Sequence, residues 1–275
     1  MGYERWFDFT DKVAVVIGGS GVLCGELARA LGAQGAAVVV VGNTHLARAQ
    51  AAADEIVAAG GRAIAAQADV LDKDSLAALA QLTLDAFGRV DVLINGAGGA
   101  KPEATTAERL PFSELPQDAV RWVFDLNFLG TFLACQVFCP IMVDQGSGAV
   151  LNISSMGATM PLTRSVAYSA AKAAVDNFTR WLAVHMSQEY ASCVRVNAIA
   201  PGFFLTEQNR FLLTDEGTGE LTSRGGRIVD HTPMGRFGAP EDLVGTALWL
   251  LSEGAAFVHG IVVPVDGGFS AYGGV

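Results

Sequence analysis

Short runs rich in β-branched residues alternate along the chain with Ala- and Leu-rich stretches of helical period. Seven such runs stand out, at residues 13–17, 38–41, 63–66, 92–94, 149–153, 194–199 and 261–265. They are continuously apolar, without polar alternation, which is typical of strands buried on both faces of a parallel sheet. The alternation of strands and helices therefore predicts a doubly wound α/β fold, with a seven-stranded parallel sheet flanked by helices.

The chain shows no sign of a division into domains. No linker rich in Pro, Gly or Ser and no internal repeat interrupts its 275 residues. A long irregular insertion lies at about residues 207–233, just before the last helix and strand. We therefore expect residues 1–275 to form a single domain that carries a short substrate lid at about 207–233.

Charge and composition exclude several classes of partner. Lys and Arg total 18 against 28 for Asp and Glu, a formal net charge of −10, which would repel a phosphate backbone. The longest apolar runs, such as residues 36–41, fall short of the ~18 residues that a membrane helix needs. The amino terminus also lacks the basic and apolar regions of a signal peptide. We expect a soluble protein with neither a nucleic-acid nor a membrane partner.

The cysteines and histidines indicate no metal centre. Cys24, Cys135, Cys139 and Cys193 form no C-x-x-C pair, and the four histidines are scattered. Neither a disulfide framework nor a zinc site is predicted, and four buried thiols are the simpler interpretation. A reducing compartment, the cytoplasm, follows as the expected location.

The first strand run ends in a glycine-rich turn, I-G-G-S-G-V-L-C-G at residues 17–25, and an Ala-rich helical stretch follows directly. Free backbone N–H groups and the positive end of a helix dipole bind a pyrophosphate there, and glycines let it approach. The turn predicts a Rossmann-type dinucleotide site. Its candidate residues are Gly18, Ser20, Gly21, Val22, Leu23 and Gly25.

The residues after the second run bear on which dinucleotide binds. Gly42, Asn43, Thr44 and His45 include neither the acid that usually binds a free ribose hydroxyl nor a Lys or Arg for a 2′-phosphate. The absence of a nearby Lys or Arg favours NAD(H), with Asn43 as a ribose contact. NADP(H) remains a possible cofactor, since residues 42–45 are explained almost as well by a plain turn that makes no contact with the ribose.

Two further motifs follow strand runs, where ligands of such sheets bind. A-D-V at residues 68–70 offers Asp69 as an acceptor for an adenine amino group, with Val70 beside it. N-G-A-G-G at residues 95–99 offers Asn95, Ala97 and Gly98 as a close floor beneath the cofactor. Ordinary turn chemistry explains either motif alone, and their strand-end positions favour binding.

The motifs N-I-S-S-M-G, at residues 152–157, and Y-S-A-A-K, at residues 168–172, carry candidate chemistry. Tyr168 and Lys172 lie four positions apart in a helical stretch, so they share one face. An ammonium beside a tyrosine stabilises the phenolate and lowers its pKa towards the range useful for acid–base catalysis. Ser155 can donate to a substrate oxygen. A lone Tyr–Lys pair is more often a surface contact, but the ordered set of motifs favours catalysis.

Together these motifs resemble the short-chain dehydrogenase/reductase family over essentially the whole chain. The resemblance implies that Ser155, Tyr168 and Lys172 are catalytic, that Tyr168 and Lys172 also contact the cofactor, and that Asn127 in D-L-N-F-L-G holds a water in a proton relay. It assigns the nicotinamide carboxamide to the P-G-x-x-x-T motif of Pro201, Gly202 and Thr206. V-D-G-G at 265–268 is similar to a family signature near subunit contacts, and a homotetramer or homodimer is implied.

One departure from the family pattern narrows the resemblance. The family's T-G-x-x-x-G-x-G would place Thr, Gly, Gly and Gly at Ile17, Gly18, Val22 and Cys24, so only Gly18 is in register. This variant, with N-G-A-G-G-x-x-P-x-A-T-T at 95–106 and A-P-G-F-F-L-T-E-Q-N-R at 200–210, resembles the branch of D-mannonate oxidoreductases or fructuronate reductases. The resemblance implies that an NAD(P)-dependent enzyme interconverts a ketone and a secondary alcohol on a sugar acid.

Two other hypotheses about function remain open at this point. A reductase of the same family could act on another carbonyl, such as a 3-oxoacyl thioester, a polyol, a ketose or a steroid. A non-catalytic dinucleotide-binding protein is a third reading, although it would not need the Tyr–Lys pair. A sugar-acid substrate requires a local cation, for which Lys101, Arg164 and Arg210 are candidates, and His231 and Arg236 lie further along. Each of these alone is also explained as a solvated surface charge.

Overall fold

The computed structural model of the chain describes residues 5–190, 194–206, 210, 213–215 and 217–274. Seven strands form one parallel sheet in the order β3-β2-β1-β4-β5-β6-β7. The strands are β1 (Val13–Ile17), β2 (Ala37–Gly42), β3 (Arg62–Gln67), β4 (Val92–Asn95), β5 (Gly148–Ile153), β6 (Val194–Pro201) and β7 (Val262–Val265). The predicted doubly wound fold is confirmed, because each predicted apolar run is a strand of this sheet.

Helices connect the strands and cover both faces of the sheet. They are α1 (Val22–Ala33), α2 (Leu46–Ala58), α3 (Lys73–Phe87), α4 (Gln117–Phe124), α5 (Gly130–Asp144), α6 (Val166–Glu189), α7 (Ser223–His231) and α8 (Val244–Leu251). A π-helical turn, Asp125–Leu129, joins α4 to α5. The strand order reverses between β1 and β4, which is where ligands bind in open sheets of this kind.

The strands read as continuous apolar runs because both faces of the sheet are buried. All five residues of β1 are buried. Ala14 and Val16 belong to a cluster with α1, α2 and α8 on one face, whereas Val15 and Ile17 belong to a cluster with α3, α5 and α6 on the other. Alternate side chains of one strand thus supply two cores, as the period of a strand requires.

The stretch Gln117–Asp144 is long and apolar enough to cross a membrane by length and composition alone. Its α5 portion packs against the sheet instead. Ala134, Cys135, Phe138 and Met142 of α5 are all buried in the cluster that includes α3 and α6. The apolar composition of this stretch therefore reflects its place as a core helix of the domain.

The structure describes three of the four cysteines and part of the predicted lid. Cys24, Cys135 and Cys139 are buried free thiols, whereas Cys193 lies outside the described residues. Within the described ranges, no three His, Cys, Asp or Glu side chains are grouped as a metal site. Of the predicted lid, residues 207–209, 211, 212 and 216 lie outside the described residues, and the described part includes α7.

The turn after β1 meets the end of β4 at very close range. Gly18 has a left-handed backbone, with φ of +80°, and a Cβ atom there would lie 2.7 Å from the carbonyl carbon and oxygen of Gly96. A Cβ atom on Gly96 would in turn overlap the Sγ atom of Cys24, which is buried on α1. Cys24 stands where the family pattern has a glycine, and Gly96 provides the space for its thiol.

We expect Gly96→Ala to lower the free energy of unfolding by about 1–3 kcal/mol, because the added methyl group overpacks the site against Cys24. Cys24→Ala removes the sulfur and should recover part of that loss in the double variant. Urea unfolding of the two single variants and the double variant measures this coupling. Gly245→Ala is the matched control, since a Cβ atom there would meet nothing within 4 Å. Strictly additive effects of the two substitutions would contradict the proposed contact.

Candidate active site

Tyr168 and Lys172 lie in the first two turns of α6, which begins at Val166. Their spacing of four places both on one side of the helix, and the Lys172 Nζ atom lies 5.7 Å from the centroid of the Tyr168 ring. The tyrosine is half-buried, whereas Lys172 is only 4% exposed. The predicted pairing of the two side chains is therefore present in the structure.

The Lys172 ammonium is anchored at the end of β5. Its Nζ atom donates a hydrogen bond of 2.8 Å to the main-chain oxygen of Ile153, the last residue of that strand. Burial lowers the pKa of Lys172 to about 8, while Cys24 and Asp176 act in the opposite direction. Asp176 follows Lys172 by one helical turn and accepts a hydrogen bond from Ser154. Burial raises the pKa of Asp176, and the Ser154 hydrogen bond partly opposes that rise.

Ser155 lies two residues beyond the end of β5 and is buried. Its Oγ atom accepts a 3.1 Å hydrogen bond from the Gly157 N–H at the start of a short 3₁₀ turn. Burial raises the pKa of Tyr168, and the Ser155 hydroxyl partly opposes that rise. The sequence predicts that the ammonium lowers this pKa, whereas in the structure burial raises it. The phenol is therefore protonated at neutral pH and is equipped to donate a proton.

Asn127 lies in the π-helical turn between α4 and α5, a distortion that often occurs at functional sites. Its Nδ2 atom donates to the oxygens of Gly99 and Val123, both at 2.8 Å, and its Oδ1 atom accepts from Gly99 N–H at 3.1 Å. A Cβ atom on Gly98 would lie 2.5 Å from Asn127 Oδ1 and 3.3 Å from Lys172 Nζ. Asn127 therefore fixes the loop after β4 against Lys172, and its role in a proton relay stays a prediction.

The glycine turn after β1 fits a pyrophosphate. Gly21 is the N-cap of α1 and has no side chain to cap the helix, so the N–H groups of Val22 and Leu23 are left for an anion. The backbone of Gly96 approaches Gly18 so closely that no side chain fits at position 18. Ser20 lies against the end of β2, since a Cβ atom on Gly42 would be 3.0 Å from its Oγ atom.

The other candidate cofactor residues follow the same edge of the sheet. Asn43 is exposed after β2, and its main-chain oxygen accepts from Gln67 Nε2 at 3.0 Å. Asp69 is exposed after β3, where its Oδ1 atom accepts from Leu71 N–H at 2.9 Å, and Val70 beside it is buried. These positions leave the Asp69 carboxylate open to solvent at the carboxyl end of β3, as an adenine contact requires.

Asn95 has a different environment from the one expected of a ligand contact. It is buried, and its Nδ2 atom donates to Asn152 Oδ1 at 2.9 Å and to Cys135 Sγ at 3.3 Å. The side chain therefore links β4 to β5 inside the sheet. Ala97, which is half-buried, and Gly98, which is exposed, follow it in the loop that Asn127 holds.

The P-G-x-x-x-T motif begins where β6 ends. Gly202 N–H donates to Val265 O at 3.0 Å, and a Cβ atom on Gly202 would lie 2.6 Å from the Cβ atom of Asp266. Pro201 is buried as the last residue of β6, and Thr206 is half-buried. The V-D-G-G segment after β7 therefore supports this loop at the same edge of the sheet as Ser155.

The structure separates the three predicted substrate cations. Lys101 Nζ lies over the Trp122 ring, 4.8 Å from its centroid. Arg164 has a left-handed backbone with φ of +78° and lines a cavity of about 420 Å³ with Ser169 and Ala173, on a different side of α6 from Tyr168. Arg210 is exposed. Of the two further residues, His231 lines another cavity, beside Phe203 and Leu162, whereas Arg236 is paired with Asp242.

That second cavity, of about 460 Å³, also contains two arginines that the sequence analysis did not single out. Arg224 and Arg227 line it from α7. In the sequence, only their spacing of three residues in the segment S-R-G-G-R could have indicated that they share one face of a helix. The two glycines between them concealed the helix, because glycine disfavours helical structure.

Comparisons with known proteins agree with this fold. The family model described as short chain dehydrogenase matches residues 12–217. An uncharacterised oxidoreductase of Bacillus subtilis, UxuB, is 50% identical over 273 residues, covering 96% of each chain. A crystal structure from Haemophilus influenzae, with bound NAD and provisionally named a D-mannonate oxidoreductase, superposes with a TM-score of 0.90 at 42% identity, covering 98% of each chain.

A further solved structure shows the breadth of the group. It is a provisionally named gluconate 5-dehydrogenase from Beutenbergia cavernae with NADP bound at low occupancy, with a TM-score of 0.85 at 34% identity. The match covers 97% of this chain and 100% of that one. The motifs, the fold and these similarities agree, and the chain belongs to the short-chain dehydrogenase family of oxidoreductases.

Proposed function

We propose that this NAD(P)-dependent oxidoreductase interconverts a ketone and a secondary alcohol on a sugar acid, of the type fructuronate to D-mannonate, with NAD(H) as its cofactor. The observation that carries the chemistry is the group of Ser155, Tyr168 and the buried Lys172 at one edge of the sheet. This edge also carries the glycine turn, so a hydride donor and a proton donor would meet there.

The bound dinucleotide would supply the hydride, and the chain's own residues control the proton. Tyr168, whose pKa burial raises, donates its hydroxyl proton to the developing alkoxide of the substrate. Ser155 orients that oxygen by hydrogen bonding. The Lys172 ammonium stabilises the phenolate that remains, and Asn127 holds the loop beside it. In the direction of alcohol oxidation, the same groups act in reverse.

Sequence similarity supports the choice of a sugar acid. The relatives at 50% and 42% identity cover nearly the whole chain, and the 42% relative is the one provisionally named for D-mannonate. Branch membership predicts substrate less firmly than a catalytic group predicts chemistry, because substrate contacts vary within one fold. The substrate is therefore the part of this proposal that most needs measurement.

The preference for NAD(H) is supported by residues 42–45, which contain no Lys or Arg to bind a 2′-phosphate. The Haemophilus relative holds NAD. We also propose a cytoplasmic homotetramer or homodimer. Trp181 and Val184 on α6, which are 55% and 56% exposed, form an apolar surface suited to a subunit contact.

Side-by-side rates test the proposed substrate and cofactor. We expect NADH oxidation with fructuronate to exceed that with tagaturonate, neutral ketoses and an acetoacetyl thioester, and to exceed NADPH oxidation. Absorbance of the reduced nicotinamide measures every pair under the same conditions. Turnover of another ketone without turnover of either uronate would contradict the sugar-acid proposal. Dinucleotide binding without turnover of any carbonyl would contradict the enzymatic one.

Tyr168→Phe should lower kcat for the best ketone by about 10²–10⁴-fold, because the proton donor is lost while the ring remains. Dinucleotide affinity, measured by fluorescence titration, should change little. Tyr190→Phe is the matched control, since Tyr190 lies just beyond the far end of the same helix. A Tyr168→Phe enzyme with the wild-type kcat would rule out this tyrosine as the acid.

The rate of ketone reduction should depend on pH through Lys172. With a pKa of about 8, its ammonium is charged at pH 7 and is progressively lost above pH 8. The kcat/KM for reduction should therefore be level below pH 7 and fall as pH rises through 8, while Tyr168 stays protonated. Lys172→Arg, which keeps its charge, should lose this fall even if its overall rate is low. The same fall in Lys172→Arg would assign the titration to another group.

A further inference from the structure

A cavity of about 460 Å³ lies between α7, the loop after Ser155 and the segment that follows β7. Leu162 from the loop, Phe203 after β6 and Phe269 after β7 form its apolar part. Arg224 and Arg227, which line it from α7, supply the positive charge. We call it the arginine cavity, and its volume lies within the ordinary range for small-molecule sites.

The two arginines are neighbours on one side of α7, because residues three apart on a helix are adjacent. Arg224 is half-buried, and Arg227 is exposed with its Nε atom donating to Ser223 O at 3.3 Å. Within the described ranges, neither guanidinium forms an ion pair, and no residue that lines the cavity is acidic. Two adjacent like charges repel each other, and an anion placed between them would relieve that repulsion.

Four other basic side chains lie beside carboxylates. Arg236 and Arg89 form ion pairs with Asp242 and Asp91. A cavity at the opposite edge of the sheet also contains Lys12 and Arg195, but acidic side chains line it as well, so its charge is balanced. Among the described residues, the arginine cavity therefore has two arginines and no acidic side chain in its lining, in a chain whose formal net charge is −10.

The arginine cavity adjoins the catalytic serine. A Cβ atom on Gly157 would lie 3.3 Å from the Leu162 side chain, which lines the cavity, and 3.3 Å from Ser155 Oγ. A short substrate whose reacting oxygen meets Ser155 can thus extend past Leu162 towards α7. Lys101 does not line this cavity, and Arg164 lines the neighbouring cavity of about 420 Å³, which shares Leu162 with it.

We propose that Arg224 and Arg227 bind the carboxylate of the sugar acid and so select an acidic substrate over a neutral ketose. This inference rests on the proposed function and adds the residues that would confer its specificity. A guanidinium matches a carboxylate in a two-pronged hydrogen-bonded pair, which an apolar wall strengthens by excluding water. Leu162, Phe203 and Phe269 provide that wall.

The test compares Arg224→Met, Arg227→Met, the double variant and Arg224→Lys with the wild type. KM and kcat are measured with fructuronate and with fructose, in which a hydroxymethyl group replaces the carboxylate. A second readout, independent of turnover, is the calorimetric Kd of D-mannonate for the NADH-bound enzyme. Arg62→Met is the matched control, because Arg62 is an exposed arginine at the start of the edge strand β3.

We expect each Met variant to raise KM for fructuronate and Kd for D-mannonate by about 10- to 100-fold, with a smaller change in kcat. Arg224→Lys should recover part of the affinity, because it keeps the charge but loses the planar fork. The kcat/KM for fructose, the thermal midpoint and the NADH affinity should stay close to wild type in every variant. Arg62→Met should match the wild type throughout.

The possible failures are distinguishable. If the wild type reduces fructuronate and the double variant keeps its KM and Kd, the arginine assignment is wrong and the proposed function stands. An equal loss of kcat/KM with fructose and with fructuronate in the variants would also overturn the arginine assignment. So would tighter binding of fructose 6-phosphate than of fructuronate by the wild type. If the wild type binds D-mannonate through these arginines but does not reduce fructuronate, the inference stands and the proposed function is wrong. If the wild type neither binds D-mannonate nor reduces fructuronate, both the inference and the proposed function are wrong.

Discussion

The hydrogen bond from the Lys172 ammonium to the main-chain oxygen of Ile153 ties the candidate catalytic helix to the sheet. Burying an ammonium costs free energy, and here the cost appears as a pKa of about 8. The bond fixes the first turns of α6 beside the end of β5, which sets Tyr168 near Ser155. The loop after β4 then closes over Lys172 because Asn127 holds Gly99 through both atoms of its amide.

In this arrangement one residue, Tyr168, holds the proton and another, Lys172, holds the positive charge. Tyr168 stays protonated because burial disfavours its anion, and Lys172 keeps a positive charge at neutral pH. In the proposed mechanism, that charge lies within reach of the phenolate that would form after proton transfer. In the further proposal, the positive charge of the arginine cavity binds the carboxylate of the substrate. In this proposal an acidic protein holds an acidic sugar because two arginines, which form no ion pair among the described residues, line one cavity beside apolar side chains.

The sequence predicted the fold well because two-sided burial leaves a clear signal, so each apolar run became a strand. The candidate catalytic pair was also predictable, since Tyr168 and Lys172 are linked by local helix geometry. Asn95 was harder, because its buried link to Asn152 depends on the pairing of β4 with β5. Arg224 and Arg227 escaped notice because their environment depends on three distant segments that meet only in the folded chain, and the glycines between them hid the helix.

A crystal structure of the enzyme with NAD and D-mannonate bound together tests the proposed roles of Tyr168 and the arginine cavity at once. We expect the hydroxyl of the reacting carbon to lie within hydrogen-bonding distance of both Ser155 and Tyr168. We also expect the carboxylate to contact the guanidinium groups of Arg224 and Arg227. A carboxylate bound at Arg164 or Arg210, or pointing into solvent, would contradict the role of the arginine cavity. A reacting hydroxyl distant from Tyr168 would contradict the account as a whole.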